Sequence, residues 1–437
     1  MALDETHDPT RRSWLDSANR AGADFPLQNL PFGIFRSGAA EPWRGGVAIG
    51  DRILDLGAAR RAGLFTGDAA DAAEAAAGPA LNPLMALGKP AWLALRRALS
   101  RLLGPEGASQ RSAVELHLRP MQGAALALPA AIGDYTDFYA SIHHATNSGR
   151  MLRPDNPLLP NYKWIPVAYH GRASSVVPSG AAFRRPKGQI KPRDSETPIY
   201  AASRALDFEL ELGFFIGPGN ALGESIAVDT AEDSIFGFCL LNDWSARDIQ
   251  GWEYQPLGPF LGKSFATTIS PWVVTAAALA PFRCAPETRP AGDPAPLPYL
   301  AAKSDPAEAG LDIAIEALLA TARMRESGAP PQRIALCNAR NTYWSVAQMV
   351  THHASNGCNL RPGDLMGTGT LSGPEEGSLG SLLELTRRGS TPVKLANGEE
   401  RRWLEDGDEL ILKGRAERAG HVGIGLGEAR AVVLPAA

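Results

Sequence analysis

Three acidic side chains alternate with apolar ones between residues 206 and 212. Side chains of a β-strand point alternately to opposite faces, so this pattern predicts that Asp207, Glu209 and Glu211 share one face of a strand. A strand with one solvated face is the ordinary explanation. No lysine or arginine lies between these acids, however, and hard cations such as Ca²⁺ and Mg²⁺ prefer clustered carboxylate oxygens. The segment therefore favours a metal site, to which Asp243 could contribute.

A second polar segment, residues 242–250, directly follows the apolar run 235–241. That run predicts a buried strand, and binding residues are often carried where such a strand ends. The acid Asp243 and the polar side chains of Arg247 and Gln250 lie there. An ordinary capped turn would contain similar residues. The segment by itself leaves both interpretations open.

Two glycine-containing segments superficially resemble nucleotide-binding loops. Three residues separate Gly258 from the Gly-Lys-Ser sequence 262–264, where a P-loop needs four, and Pro259 removes an amide that would contact phosphate. The segment 361–373 lacks the G-x-G-x-x-G spacing of dinucleotide-binding folds. Its glycines are compatible with close backbone approach to a small ligand or with tight turns. We expect Lys263 to act as a fixed positive charge near a developing anion.

Residues 134–147 combine aromatic and titratable side chains at high density. If they form a helix, Asp137 and His144 share a face, although an irregular segment fits equally well. A histidine is more often structural than catalytic, but an imidazole beside a metal-binding carboxylate is the usual general base near neutral pH. Glu384, on an alternating run that predicts a strand, could orient such a base.

Composition restricts the class of protein. The chain has 437 residues, of which 44% are hydrophobic and 21% charged, as in globular proteins of two or three domains. Its net charge of −4 and the absence of basic tracts predict no nucleic-acid partner. No apolar run approaches the roughly 18 residues of a membrane span, and the N-terminus lacks signal-peptide features. With four scattered cysteines, we expect a cytoplasmic protein without a membrane partner.

The sequence predicts different secondary structure for the first part of the chain and for the remainder. Short strand-like runs and an Ala-rich region at 68–103, which prolines divide into two or three helices, predict a small domain at 1–119. Many short β-like runs separated by Gly, Pro and Asn predict a larger β-rich domain at 120–437, which would carry the metal site. The fold class predicted is mainly β, within the α+β class.

Together these segments resemble the fumarylacetoacetase (fumarylacetoacetate hydrolase) family over nearly the whole chain. The resemblance is most specific at five places, namely 134–139, 169–175, 242–248, 256–264 and 351–364. It implies an N-terminal SH3-like barrel followed by the β-roll or sandwich of that family. It also implies a homodimer and a small β-diketo acid as substrate.

The resemblance further implies a role for individual residues. The metal ligands for Ca²⁺ and/or Mg²⁺ are Asp137, Glu209, Glu211 and Asp243, with Lys263 and Thr267 as candidates for a second site. The catalytic residues are the base His144, its orienting partner Glu384, and Arg247, Gln250 and Lys263, which stabilise negative charge. The substrate-binding residues are Tyr139, Arg153, Gln250, Tyr254 and Thr370. His143 stands where the family often has glutamine.

The activity implied is hydrolysis of the carbon–carbon bond of 4-fumarylacetoacetate to fumarate and acetoacetate, the last step of tyrosine and phenylalanine catabolism. His144 would activate water, and a divalent metal ion would act as Lewis acid. Two alternatives remain: a related acylpyruvate or oxo-acid hydrolase or decarboxylase, and a catalytically silent metal-binding interaction protein. The N-terminal domain argues against the first, because such relatives are usually shorter. His144 with Glu384 argues against the second, because binding alone needs no base.

Overall fold

The computed structural model describes residues 2–192, 194–303 and 308–437. Its first elements are β1 (Phe32–Arg36), β2 (Arg44–Ile49), β3 (Arg52–Asp55), α1 (Leu56–Arg61), α2 (Gly67–Ala75), α3 (Asn82–Ala86), α4 (Lys89–Leu103), α5 (Arg111–Glu115), β4 (Leu118–Pro120) and β5 (Ala125–Ala127). The five strands form an antiparallel sheet in the order β4-β3-β2-β1-β5. Because β5 pairs with β1, strand pairing favours a domain boundary after residue 127 rather than at the predicted 119.

The Ala-rich region forms separate helices, as predicted. Gly88 has a φ of 81° directly before α4, and Pro90 occupies the first turn of that helix. A proline is tolerated there because the first amides of a helix have no intrahelical partner. The buried side chains of α4 include Trp92, Leu95 and Leu99. Within the described residues, no helix is long and apolar enough to cross a bilayer.

The larger part of the chain contains mostly strands. Its elements are β6 (Tyr135–Phe138), α6 (Ile142–Leu152), β7 (Ala168–Gly171), β8 (Val176–Pro178), β9 (Phe183–Arg184), β10 (Lys187–Ile190), β11 (Ile199–Ala202), β12 (Leu206–Asp207), β13 (Leu210–Ile216), β14 (Ile235–Asp243), β15 (Ser245–Ala246), α7 (Arg247–Glu253), β16 (Thr267–Ile269), β17 (Val274–Thr275), β18 (Arg283–Cys284), β19 (Gly310–Leu311), β20 (Ala314–Ala320), α8 (Ala322–Ser327), β21 (Gln332–Asn338), α9 (Val346–Ala354), β22 (Leu365–Gly367), α10 (Leu382–Leu385), β23 (Val393–Lys394), β24 (Glu400–Arg401), β25 (Glu409–Ala416) and β26 (Ile424–Leu434).

Two large sheets organise these strands. The first is mixed and has the order β7-β6-β22-β13-β14-β16-β8, with β17 also paired to β14. In it, β22 runs parallel to β6 and β16 runs parallel to β8. The second has the order β21-β20-β25-β26-β9. Strands β25 and β26 pack against β14, so the two sheets lie face to face.

The first sheet is buried on both faces. Along β13, Leu210, Leu212 and Phe214 join a core that the second sheet completes. The alternate residue Phe215 joins a different core, which includes Phe32 of the N-terminal sheet. This period-two division explains why every residue of β13 is buried. The first sheet is thus a rigid layer between the second sheet and the N-terminal region, and the candidate site lies at one of its edges.

Candidate active site

Strand register brings four acidic side chains to one edge of the first sheet. Asp137 on β6 is opposite Gly367 on β22, and Glu211 on β13 is opposite Leu241 on β14. One carboxylate oxygen from each of Asp137, Glu209, Glu211 and Asp243 lies within 4.8 Å of the other three. All four side chains are buried. Residues far apart in the sequence therefore form one oxygen-rich cluster, which we call the acidic cluster.

Asp207 lies beside the acidic cluster but does not belong to it, because other groups bind its oxygens. It shares Arg247 with Glu209, whose Oε1 accepts a hydrogen bond from Arg247 Nη2 at 2.7 Å. Asp207 Oδ2 accepts a hydrogen bond from Arg247 Nε at 2.8 Å. Its two oxygens also accept from the backbone amides of Leu382 and Leu383. The solvated-face alternative is wrong, because Asp207, Glu209 and Glu211 are all buried.

Glycines of the segment 361–373 allow the backbone to approach these acids closely. A β-carbon at Gly367 would lie 2.5 Å from Asp137 Oδ1 and 2.9 Å from Glu211 Oε2, so no larger residue fits without displacing a carboxylate. The amide of Gly369 donates to the same two carboxylates at 3.2 and 3.0 Å. The glycines of this segment thus bring the chain against the acidic cluster.

The charges at the acidic cluster are unevenly balanced. Burial opposes ionisation of Glu209, but Arg247 and Lys263 outweigh it and lower the pKa of Glu209. Burial, reinforced by the neighbouring carboxylates, raises the pKa of Asp137 and of Glu211 well above the usual range. Glu211 Oε1 has no hydrogen-bond partner within the described residues. A buried carboxylate oxygen without a donor costs free energy, so this donor set fits a divalent cation.

Asp243 is held by three side chains that the acidic pattern alone did not indicate. Tyr169 donates its hydroxyl hydrogen to Asp243 Oδ2 at 2.6 Å, and Thr267 donates to Oδ1 at 3.3 Å. The ammonium of Lys263 donates to both Asp243 and Glu209. Burial opposes the charge of Lys263, but the two acids outweigh it and raise the pKa. A protonated ammonium has no free lone pair, so nothing in the geometry supports Lys263 as a direct metal ligand.

His144 and Glu384 occupy equivalent positions on two short helices. Ser141 caps α6 by accepting a hydrogen bond from the amide of His144, and Ser381 caps α10 by accepting from the amide of Glu384. Each catalytic candidate is therefore the third residue of a serine-capped helix. Ser372 donates its hydroxyl hydrogen to Glu384, and its carbonyl oxygen accepts from Ser141. This serine joins the two helix starts and fixes their relative position.

The pair is oriented for proton transfer. His144 Nδ1 lies 2.6 Å from Glu384 Oε2. Burial opposes ionisation of Glu384, but His144 and the donors Asn147 and Ser372 outweigh it and lower its pKa. An ionised carboxylate only accepts, so Nδ1 of His144 carries the hydrogen, and Nε2 is left as the acceptor of the neutral ring. That Nε2 lies 3.8 Å from Glu209 Oε1 of the acidic cluster.

His143 faces away from this arrangement. Its Nε2 contacts Glu287 Oε1 at 2.5 Å, in the proline-rich segment that follows β18. It is not among the residues that line the cavity described below. The imidazole of His143 is thus placed outside the cavity that His144 lines.

One cavity of about 1020 Å³ contains nearly all the predicted site residues. Its lining includes Asp137, Tyr139, His144, Arg153, Glu209, Glu211, Arg247, Gln250, Tyr254, Lys263 and Thr370. The remaining predicted residues, Asp243, Thr267 and Glu384, are buried. Asp243 contacts the lining residue Lys263, Glu384 contacts the lining residue His144, and Thr267 contacts Asp243. The cavity also has a mostly apolar wall, to which Phe138, Leu158, Tyr162 and Val167 contribute.

Comparison with known proteins agrees with this geometry. Residues 135–434 match the family model described as fumarylacetoacetate (FAA) hydrolase C-terminal, and residues 28–129 match fumarylacetoacetase N-terminal. The fumarylacetoacetases of Bos taurus and Homo sapiens are each 49% identical over 419 residues, which is 95% of this chain and 97% of theirs. That of Arabidopsis thaliana is 48% identical over 94% of this chain and 96% of its own.

The chain belongs to the fumarylacetoacetase family. Among solved structures, a protein designated HpcE from Mycobacterium smegmatis superposes with a TM-score of 0.51 at 19% identity, covering 93% of this chain and all of that one. At this identity the likeness concerns the fold alone. The predicted mainly β, α+β fold of the fumarylacetoacetase type is confirmed.

Two residues at the site of this member of the fumarylacetoacetase family were not predicted from the sequence. The hydroxyl of Tyr169 contacts Asp243, and the hydroxyl oxygen of Ser148 lies 3.3 Å from Nε2 of His144. The predicted strand at Glu384 is wrong, since the residue lies on α10. The sequence contained the relevant signal: Ser381 followed three residues later by glutamate is a typical helix start. No local pattern indicated Tyr169, because its partner is distant in the sequence.

Proposed function

We propose that this chain hydrolyses the carbon–carbon bond of 4-fumarylacetoacetate, releasing fumarate and acetoacetate. Membership of the fumarylacetoacetase family supports the reaction class. The observation that carries the proposal is the position of His144: Glu384 holds its Nδ1, and its Nε2 faces the acidic cluster in the same cavity. A protein that only bound a metal ion would not need an oriented imidazole. This arrangement is what hydrolysis by activated water requires.

In the proposed first step, Nε2 of His144 accepts a proton from water. The resulting hydroxide attacks the carbonyl carbon next to the fumaryl double bond. Glu384 stabilises the imidazolium that forms and keeps the ring in one orientation, since its carboxylate is itself fixed by Ser372, Ser381 and Asn147. A positioned base of this kind typically accelerates reactions about 10²- to 10⁴-fold.

In the second step, the tetrahedral intermediate breaks the bond to the methylene carbon. The bonding electrons leave with acetoacetate as its enolate, and the imidazolium of His144 returns its proton to that carbon. Lys263 and Arg247 are the cations beside the reacting groups. Gln250 accepts from Arg247 Nη1 at 3.2 Å through its carbonyl oxygen, which leaves its amide hydrogens to donate to an oxyanion. Overall, one water is added across one carbon–carbon bond.

We further propose that Asp137, Glu209, Glu211 and Asp243 hold a divalent cation, Ca²⁺ or Mg²⁺. The buried oxygen of Glu211 that lacks a donor, and the raised pKa values of Asp137 and Glu211, support a cation at this cluster. When bound, such a cation supplies a positive charge that polarises substrate oxygens.

Substrate binding falls to Tyr139, Arg153, Gln250, Tyr254 and Thr370, all of which line the cavity. Burial raises the pKa of Tyr139 to about 12, so its hydroxyl remains a donor. The buried Nε of Arg153 has no hydrogen-bond partner within the described part of the chain. A guanidinium with free donors suits a substrate carboxylate. We propose that Arg153 binds one carboxylate of the substrate.

The family resemblance also supports a proposal about the oligomeric state, the location and the metabolic role of the protein. We propose that it is a homodimer, that it acts in the cytoplasm, and that its reaction belongs to tyrosine and phenylalanine catabolism. Light scattering on the purified chain tests the dimer, and a monomer at micromolar concentration would contradict it.

The proposed activity is tested by incubating the purified protein with fumarylacetoacetate and following the diketone absorbance. We expect absorbance loss with stoichiometric fumarate and acetoacetate, abolition by a chelator, and recovery on adding Mg²⁺ or Ca²⁺. An acylpyruvate and oxaloacetate serve as competing substrates. No turnover of fumarylacetoacetate with either metal ion, or faster turnover of a competing substrate, would overturn the proposal.

A further inference from the structure

The proposed substrate, on which this inference rests, carries two carboxylates, one at the fumaryl end and one at the acetoacetate end. The cationic side chains that line the cavity are Arg153, Lys191, Arg247, Lys263 and Arg388. Arg247 and Lys263 are ion-paired with buried acids. The other three have no acidic partner within 4.0 Å among the described residues. A dianion entering this cavity therefore meets cations beyond Arg153.

Arg388 has an unusual backbone conformation. Arg387 and Arg388 have φ values of 49° and 59°, and Leu30 is the other non-glycine residue with a positive φ in the described chain. Left-handed backbone is unfavourable for arginine, and such strain persists only where the surrounding structure imposes it. Two consecutive strained arginines directly after the helix that carries Glu384 therefore require a physical explanation.

The turn that contains these arginines is strongly constrained. The amide of Arg388 donates to the carbonyl of Leu383 at 2.7 Å, and the amide of Thr391 donates to the carbonyl of Thr386 at 2.9 Å. The Thr386 hydroxyl donates to Leu382 and accepts from the amide of Gly389. These bonds hold the turn against α10.

The constrained turn sends the two arginines in different directions. Arg387 is exposed and contacts Glu376 at 3.3 Å outside the cavity. Arg388 lines the cavity, where its Nη1 donates to the carbonyl of Met151 near the end of α6, at 3.2 Å. That single contact leaves most of the guanidinium donors free. The turn thus places one cation of the pair at the wall of the substrate cavity, close to both helices that carry the catalytic pair.

We infer that Arg388 binds the fumaryl carboxylate of the substrate and makes the site selective for a dicarboxylate. The attacked carbonyl belongs to the fumaryl half, and it must lie beside His144. Arg388 extends from the turn that follows Glu384, the partner of His144, whereas Lys263 and Gln250 surround the leaving enolate. Arg388 is exposed, as Arg387 is, so water screens its charge and it contributes a moderate attraction.

The test compares fumarylacetoacetate with its crotonyl analogue, in which a methyl group replaces the fumaryl carboxylate. The measured quantity is the ratio of the two kcat/KM values in the wild type, Arg388→Met and Arg387→Met. We expect Arg388→Met to lower this preference for the dicarboxylate roughly two- to fivefold, because one exposed charged contact is lost. Arg387→Met is the matched control, with the same residue type and backbone conformation, and should retain the wild-type ratio. Arg388→Lys should restore part of the preference.

An unchanged ratio in Arg388→Met, or an equal loss in Arg387→Met, would overturn the inference. So would a loss seen only in Lys191→Met, which would assign the carboxylate to that lysine. Calorimetric binding of fumarate and of crotonate separates this inference from the proposed function, since it needs no turnover. Weaker fumarate binding in Arg388→Met, with crotonate binding unaltered, supports the assignment even if fumarylacetoacetate is not hydrolysed. Equal fumarate binding to wild type and Arg388→Met overturns it.

Discussion

Nδ1 of His144 lies 2.6 Å from Oε2 of Glu384, across two helices whose first turns are joined through Ser372. The two residues are 240 positions apart in the chain. Both side chains are at most 2% exposed, so water does not compete for this contact. The opposite ring nitrogen faces the acidic cluster. The predictions below examine what this pair and the cluster each contribute.

His144→Ala should lower kcat by about 10²- to 10⁴-fold, because it removes the group that we propose accepts the proton from water. Metal affinity should change little, since His144 is not one of the clustered acids. Steady-state kinetics and metal titration measure the two quantities. His143→Ala is the control and should keep most activity, because His143 contacts Glu287 instead of the cavity. If His144→Ala kept most of the activity and His143→Ala lost it, His144 would not be the base.

Glu384→Gln should lower kcat by about 10²- to 10⁴-fold, because the proposed base loses the carboxylate that holds its Nδ1 and balances the charge of the imidazolium. In the wild type, the pKa of Glu384 is lowered, so its negative charge stabilises the folded protein at pH values above the ordinary pKa of a glutamate. This stabilisation is lost only as the pH falls through the lowered pKa. The carboxylate is therefore ionised at neutral pH and stabilises imidazolium. Glutamine removes that charge. Steady-state kinetics at neutral pH measure the loss, and a variant with the wild-type kcat would contradict the prediction.

Glu209→Gln should destabilise the metal-free protein, whereas Glu211→Gln should not. Glu209 pairs with Arg247 and Lys263, and removing its charge leaves buried cations without a partner, at a cost of about 3 kcal/mol. The raised pKa of Glu211 means that ionisation of this group opposes folding at neutral pH, so a neutral side chain is tolerated or stabilising. Urea unfolding in the presence of a chelator measures both. Equal destabilisation by the two substitutions would contradict this predicted difference.

Both of these variants should also lose the stabilisation that added Mg²⁺ or Ca²⁺ confers on the wild type, because a ligand that binds only the folded state raises its stability. Thermal unfolding with and without the metal ion measures this loss. A wild-type shift retained in either variant would exclude that carboxylate from the ligand set.

Tyr169→Phe should weaken metal binding by about tenfold, since partners that orient a ligand typically contribute 10- to 100-fold to metal affinity. The hydroxyl of Tyr169 donates to Asp243 at 2.6 Å and holds this carboxylate in position. Calorimetric titration of the metal-free protein provides the measurement. Tyr200→Phe, at a position that is 74% exposed, is the matched control and should bind like the wild type. Equal affinities in all three proteins would mean that Asp243 needs no such support.

The sequence pattern at 206–212 predicted the acidic cluster correctly for Glu209 and Glu211, because a strand's side-chain period is a local property. Asp207 stays outside the cluster, because its carboxylate is bound by Arg247 and by the backbone amides of α10, which are distant in the sequence. The helix at Glu384 was missed for a related reason. Alternating residues favoured a strand, but the Ser381 cap and the packing of α10 beside α6 outweighed that preference.

The sequence by itself determined the chemical types at the site: the carboxylates, the imidazole, the cations and the glycines that permit close approach. It also carried the motifs by which the family resemblance was seen. Only the tertiary structure decided which groups meet, namely that Glu384 reaches His144, that Tyr169 reaches Asp243, and that Arg388 rather than Arg387 lines the cavity. The reason is that side-chain direction follows from local backbone geometry, whereas contact between distant segments depends on strand register and helix packing across the whole molecule.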